Sequence, residues 1–125
     1  LSTSATARFL EALMTNTLLS PNASKNLKST LFRPLNILLR KANSENQIDG
    51  FIGEGLPLNT KLWSKAGLMS SARHDAAWWI RESGNPMLLV IFTESQILSN
   101  DTFLLPAISS QLNQWNQSNE LIDEY

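Results

Sequence analysis

The sequence contains no cysteine and a single histidine, His74. These absences exclude disulfide bonds, thiolate metal ligands and a cysteine nucleophile, and they argue against a histidine-based metal centre. We therefore expect neither a metal nor another cofactor. No apolar run approaches the about 18 residues that a membrane-spanning helix needs. The longest run, from Met87 to Phe92, is typical of a buried strand.

Charge of one sign is not in excess, because 10 Lys and Arg oppose 11 Asp and Glu. A nucleic-acid interface needs clustered basic side chains, so we expect no nucleic-acid partner. The 125 residues, of which 42% are hydrophobic, are enough for one domain with its own core. The chain begins without methionine and has no signal-peptide pattern, and we expect it to be a piece of a longer product.

Helical spacing dominates residues 1–42. A cluster of Ser and Thr precedes the first apolar stripe, and Ser20-Pro21 is a second helix start, with serine as the cap and proline in the first turn. Pro34 ends this second helix, and a third short helix is predicted up to Ala42. Residues 43–60 carry glycines and a proline with little periodicity, which predicts a long connecting loop.

From Lys61 onward the hydrophobic period becomes two, which is the period of a strand. Three strands are predicted, at Lys61–Lys65, Arg73–Arg81 and Met87–Thr93. A last helix with an apolar stripe follows, capped by Asn100 or Asp101. The fold class is therefore α+β, with one domain over residues 1–125. Its sheet is a three-stranded antiparallel meander, and residues 61–125 form the sheet and the C-terminal helix.

The hairpin between the first two strands carries the candidate site. A turn of about five residues between Gly67 and Arg73 would place Lys65 and Arg73 on adjacent strands. If they share a face, two cations converge on an anionic group such as a carboxylate, which arginine binds with two N–H groups. Gly67 leaves room for a ligand, and the N–H of Leu68 could donate to an oxyanion. An ordinary hairpin with solvated charges explains the same residues.

A family resemblance rests on this hairpin. Lys65-Ala66-Gly67, followed by Arg73-His74-Asp75-Ala76-Ala77, resembles the K-[ST]-G box and the next strand's R-N-D-hydrophobic pattern in class A β-lactamases and related penicillin-binding serine hydrolases. Leu18-Leu19-Ser20-Pro21 resembles the family's junction between two helices, and Gly55-Leu56-Pro57 resembles its small-Leu-Pro segment. Each motif is weak alone, but their order along nearly the whole chain is that of the family.

The resemblance implies the C-terminal part of the β-lactamase/transpeptidase fold. It implies that Lys65 is a catalytic cation near the nucleophile and that the Leu68 N–H forms half of an oxyanion hole. Asp75 would be a structural anchor near the site. The substrate-binding residues would be Ala66, Gly67, Arg73 and His74, with Arg73 on the substrate carboxylate. A periplasmic or extracellular location follows if the protein behaves as the family does.

The sequence departs from the family pattern at two positions and lacks two of its motifs. Ala66 stands where the box has Ser or Thr, so a hydroxyl for the substrate carboxylate is missing, and His74 replaces the usual Asn. The Ser-x-x-Lys motif, which supplies the nucleophile and its activating lysine, does not occur. Ser99-Asn100-Asp101 has the residues of the family's Ser-Asp-Asn in another order. We therefore expect this chain alone to be inactive.

The main hypothesis is the C-terminal half of a serine hydrolase that forms an acyl-enzyme with β-lactam or peptidoglycan-like amides. An upstream segment or a second chain would carry the nucleophile. An alternative is a non-catalytic binding or interaction module that keeps the fold, which Ala66 favours. A homo-oligomer is a further possibility, because one helix covers only part of a three-stranded sheet and large exposed apolar patches are rare on monomers.

Overall fold

A computed structural model describes residues 1–82 and 84–123, with side chains up to Trp115. The described chain contains five α-helices and four strands. The helices are α1 (Thr3–Met14), α2 (Pro21–Leu31), α3 (Ile37–Ala42), α4 (Gln96–Ser99) and α5 (Leu104–Asp123). The strands are β1 (Phe32–Arg33), β2 (Lys61–Met69), β3 (Ala72–Ile80) and β4 (Pro86–Ile91). A 3₁₀ turn at Ile52–Gly55 lies within the predicted connecting loop.

The sheet is antiparallel, in the order β1-β2-β3-β4. The α+β class is confirmed, but the prediction of three strands is wrong, because Phe32 and Arg33 add a fourth. They pair with Trp63 and Leu62 directly after α2. A strand of two residues is too short to show the period-two pattern by which strands are recognised in a sequence.

The β2–β3 hairpin is tighter than predicted. Strand β2 continues to Met69 and β3 begins at Ala72, so only Ser70 and Ser71 join them. The register pairs Leu68 with Arg73 and Lys65 with Ala76. Because directly paired residues lie on the same face and neighbours alternate, Arg73 and Lys65 start from opposite faces of the sheet. The condition that these two cations share a face is therefore not met.

One face of the sheet carries the main hydrophobic core. Side chains from β2 and β3 pack there against the loop before β2 and the 3₁₀ turn, forming a cluster of Leu35, Ile48, Ile52, Leu56, Leu62, Ala77 and Trp79. Trp79 is fully buried, and its Nε1–H donates to Asn113 Oδ1 of α5 at 3.1 Å. This hydrogen bond ties the C-terminal helix to β3.

Helix α5 also packs closely on the 3₁₀ turn. The hydroxyl of Ser109 donates to the carbonyl of Ile52 at 2.8 Å. At Gly55 a Cβ atom would lie 2.1 Å from the carbonyl oxygen of Pro106, so a glycine is required for this approach. The turn is thereby held between α5 and the sheet, and it supports the loop that faces the site described below.

The other helices complete the fold. Helix α1 contacts β3 and β4, and α2 contacts β2. None of their residues belongs to the core cluster around Trp79. At the start of α5, Asp101 Oδ1 accepts from the N–H groups of Phe103 and Leu104, in agreement with the predicted cap. No helix in the described part of the chain has the length and apolarity to cross a membrane.

Candidate functional site

An open groove of about 580 Å³ runs along one edge of β2. Since β1 pairs only with Leu62 and Trp63, the rest of β2 has no strand neighbour on this side within the described residues. The loop before the 3₁₀ turn forms the facing wall. The residues that line the groove are Lys65, Ala66 and Leu68 of β2, Arg73 of β3, Phe51, Thr102, and loop residues Ser44, Glu45, Asn46, Gln47 and Asp49.

The backbone of Ala66 faces the groove, and both of its polar groups are occupied. Its N–H donates to Gln47 Oε1 at 2.8 Å, and its carbonyl accepts from Lys65 Nζ. Because the N–H groups of alternate residues in a strand point to the same side, the N–H of Leu68 also points out of the sheet. This direction is the one that an oxyanion donor at Leu68 requires.

Arg73 of β3 lines the groove from the face of the sheet opposite to that of Lys65. Its side chain is only 6% exposed, and its Nε and NH1 groups donate to the carbonyls of Ser99 at 2.9 Å and Gly50 at 3.1 Å. The guanidinium carbon lies 4.8 Å from the centre of the Phe51 ring. Lys65 starts on the opposite face and bends over the edge to the carbonyl of Ala66. Two cations therefore meet at one groove although their strand positions alternate.

The structure places His74 away from this groove. Its Nδ1 accepts from the N–H of Thr93 at 3.1 Å, its ring centre lies 4.5 Å from that of Phe92, and it lines a separate hollow with Glu94. Gly67 pairs with His74 in the register and is likewise not part of the groove lining. Of the predicted site residues, the groove brings together Lys65, Ala66, Leu68 and Arg73.

A sequence model described as the Beta-lactamase enzyme family matches residues 1–115. The chain belongs to the β-lactamase enzyme family. Its resemblance to class A β-lactamases, inferred above from the hairpin motifs, is thereby confirmed. Among curated proteins, none matches this chain in sequence.

Solved structures titled as β-lactamases and as PBP-A share the fold. A β-lactamase from Streptosporangium roseum superposes with a TM-score of 0.69 at 20% identity, over 91% of this chain and 40% of its own. The structure titled PBP-A gives 0.71 at 13% identity, over 90% and 38%. An ancestral class A β-lactamase, GNCA, gives 0.67 at 20% identity, over 88% and 39%. The chain thus spans about 40% of the length of these structures.

Asp75 of this β-lactamase-family chain is buried next to the groove residue Ala66 and does not itself line the groove. It pairs with Ala66 in the register, and its Oδ2 accepts from the N–H of Ile52 at 3.0 Å. Burial raises the pKa of its carboxyl to about 7. The backbone hydrogen bonds from Ile52 and Ala76 lower this pKa, as do the charges of Arg33 and Lys65, but their effect is smaller than that of burial. The side chain joins β3 to the 3₁₀ turn.

Replacing Asp75 by asparagine is expected to remove a pH dependence of stability. Between about pH 4 and pH 7 the folded carboxyl keeps its proton while the unfolded one releases it, so the unfolding free energy falls as pH rises, by about 1.4 kcal/mol per unit from this group. The contribution of this carboxyl to the unfolding free energy is fully present below about pH 4 and is lost above about pH 7. Asparagine cannot titrate, so urea unfolding at several pH values should lose this slope.

The control for Asp75 is Glu11→Gln, which removes an exposed carboxyl from α1. Glu11→Gln should show the same fall of the unfolding free energy with rising pH as the wild type. An unchanged slope in Asp75→Asn would show that the buried carboxyl is ionised in the folded protein throughout the window, against the raised pKa.

Gln47 is one of the groove residues that the sequence did not reveal. It stands among polar residues in the predicted connecting loop, where no periodicity or motif distinguishes it from its neighbours. Its contact with Ala66 depends on the fold of the loop around the 3₁₀ turn. In this β-lactamase-family chain the facing wall of the groove could therefore be assigned only from the structure.

Proposed function

We propose that this chain supplies the carboxylate-binding and oxyanion-binding half of an acyl-transferring serine hydrolase. The nucleophile would come from an upstream segment or a second chain. The substrate class is an amide with a nearby carboxylate, such as a β-lactam or a peptidoglycan-like peptide. One observation carries the proposal: Lys65, Arg73 and the outward N–H of Leu68 converge on one groove.

The two cations of the groove support a carboxylate as the ligand. Of the two acidic residues that also line it, Glu45 and Asp49, the second is paired with Arg40. The guanidinium of Arg73 is buried and contacts two carbonyls and an aromatic ring, but it has no carboxylate partner among the described residues. Its remaining N–H groups can hold a planar carboxylate. Lys65 adds a second charge, and its contact with a backbone carbonyl can be exchanged for a ligand oxygen.

The N–H of Leu68 supports acyl transfer rather than simple anion binding. A backbone N–H that points into a groove beside a bound amide can donate to the negative oxygen that develops during attack on the carbonyl. Removal of one such donor typically slows acyl transfer by about 10²–10³-fold. The solved structures that share this fold are titled β-lactamases and PBP-A, which favours the same substrate class.

The first test is the intact mass of the protein before and after incubation with a penicillin. The chain alone, at 14.0 kDa, is expected to keep its mass, whereas a sample that also holds the Ser-x-x-Lys segment should gain the mass of the penicillin. An adduct on this chain itself would show that the nucleophile is not supplied from elsewhere.

Replacing Lys65 by methionine in the complete enzyme is expected to slow formation of the penicillin adduct by about 100-fold or more, because a cation near the nucleophile is lost. Stability should change by no more than about 0.5 kcal/mol, since Lys65 is exposed. Lys61→Met, at the other end of β2, is the matched control and should react as the wild type. Equal rates for the two variants would exclude a catalytic role for Lys65.

A non-catalytic binding module is the second candidate. Ala66 brings no hydroxyl to the groove, and the contacts from Gln47 and Lys65 already satisfy its backbone groups. This candidate predicts that a penicillin binds reversibly, with no change of mass in any chain of the complete product.

A further inference from the structure

Gln47 holds a fixed amide at the groove. Its side-chain oxygen accepts from the N–H of Ala66 at 2.8 Å, and a backbone N–H can only donate. The oxygen must therefore face the strand, and the Nε2 amide group must point elsewhere. Nε2 has no acceptor among the residues that the structure describes, although the residue lines the groove.

Arg73 presents a second unused donor to the same groove. Its Nε and NH1 groups are held by the carbonyls of Ser99 and Gly50, whereas NH2 has no acceptor in the described part of the chain. Ala66 lines the same groove, and its methyl group offers no hydrogen bond. The groove therefore contains a charged donor and a neutral donor that both lack a partner.

We propose that Gln47 is a substrate-positioning residue, which donates from Nε2 to the carboxylate held by Arg73 and so replaces the hydroxyl that Ala66 lacks. This inference rests on the proposed function. A carboxylate accepts about four hydrogen bonds, so a neutral amide can bind it beside a guanidinium. Because the oxygen of Gln47 is already anchored, little side-chain freedom is lost when the ligand binds.

The test is the affinity of the chain for benzylpenicillin and for its methyl ester, measured by NMR titration of the backbone amides. The variant Gln47→Glu keeps an oxygen for the N–H of Ala66 but places a negative oxygen where Nε2 was. We expect it to bind benzylpenicillin at least about tenfold more weakly than the wild type, because two carboxylates then face each other. Binding of the methyl ester should be unchanged.

Two controls separate this role from a structural one. Gln111→Glu adds the same charge on an exposed position of α5 and should bind as the wild type. Hydrogen exchange of the Ala66 amide should stay slow in Gln47→Glu, since its acceptor remains.

Two results would overturn the inference, and they differ in what they say of the proposed function. In the first, Gln47→Glu binds benzylpenicillin as tightly as the wild type does, and the wild type still prefers the acid to its methyl ester. This result excludes the role of Gln47 and leaves the proposed function intact. In the second, the wild type binds the acid and its methyl ester equally well. This result excludes both the role of Gln47 and the proposed binding of a carboxylate.

Discussion

Replacing Arg73 by methionine is expected to lower the free energy of unfolding by about 3–6 kcal/mol. The change removes two hydrogen bonds from a charged donor and leaves the carbonyls of Ser99 and Gly50 buried without a partner. Contact with the Phe51 ring is weakened as well. Urea unfolding of the two proteins at one pH measures the difference.

Arg73→Lys is the control for charge. Lysine keeps a cation on a flexible stem, but its ammonium cannot reproduce the planar fork that spans two carbonyls, so an intermediate loss is expected. A loss below about 1 kcal/mol for methionine would show that loop carbonyls do not depend on Arg73. A drop in ligand binding or turnover in Arg73 variants must therefore be compared with their folded fraction before it is assigned to a lost substrate contact.

Replacing Trp79 by alanine is expected to cost about 3–5 kcal/mol for the cavity, and about 1–3 kcal/mol more for the buried Asn113 oxygen left without its donor. Natural domains are stable by about 5–15 kcal/mol, so this variant should be largely unfolded or close to it. Far-ultraviolet circular dichroism during a urea titration measures the loss.

Two variants test the interpretation of Trp79. Trp79→Phe fills most of the space and removes only the indole N–H, so it should cost much less than alanine. Trp78→Ala removes the neighbouring side chain, which points to the other face and is only partly buried. If Trp78→Ala destabilised the protein as strongly as Trp79→Ala, the assignment of the core to the face of Trp79 would be wrong.

The sequence was most informative where hydrophobic period and turn chemistry agree. Alternation along β3 gives the strand and its two faces, and Ser20-Pro21 starts α2 as predicted, with the Ser20 hydroxyl accepting from the N–H of Ala23. The short strand β1 was missed because two residues show no period. In the observed register, the same alternation places Lys65 and Arg73 on opposite faces of the sheet. The predicted turn of about five residues left the register open, and a shift of one residue moves a side chain to the other face.

The candidate site was predictable only in its strand residues. Lys65, Ala66, Leu68 and Arg73 could be named because motif and hairpin agree. The burial of Arg73 could not be predicted from the sequence. Its hydrogen-bond partners are backbone carbonyls, which every residue type carries, so no sequence pattern marks them. Gln47 was missed for a similar reason: its role depends on which strand N–H its loop approaches.

Two copies of the chain that met along β2 would find few groups to pair with. Unpaired strand edges are the usual templates for intermolecular sheets and fibrils. Here the N–H and carbonyl of Ala66 are taken by Gln47 and Lys65, and only Leu68 faces outward between Ala66 and the turn at Ser70. The side chains of Gln47 and Lys65 thus leave few backbone groups on this edge for a strand of another molecule.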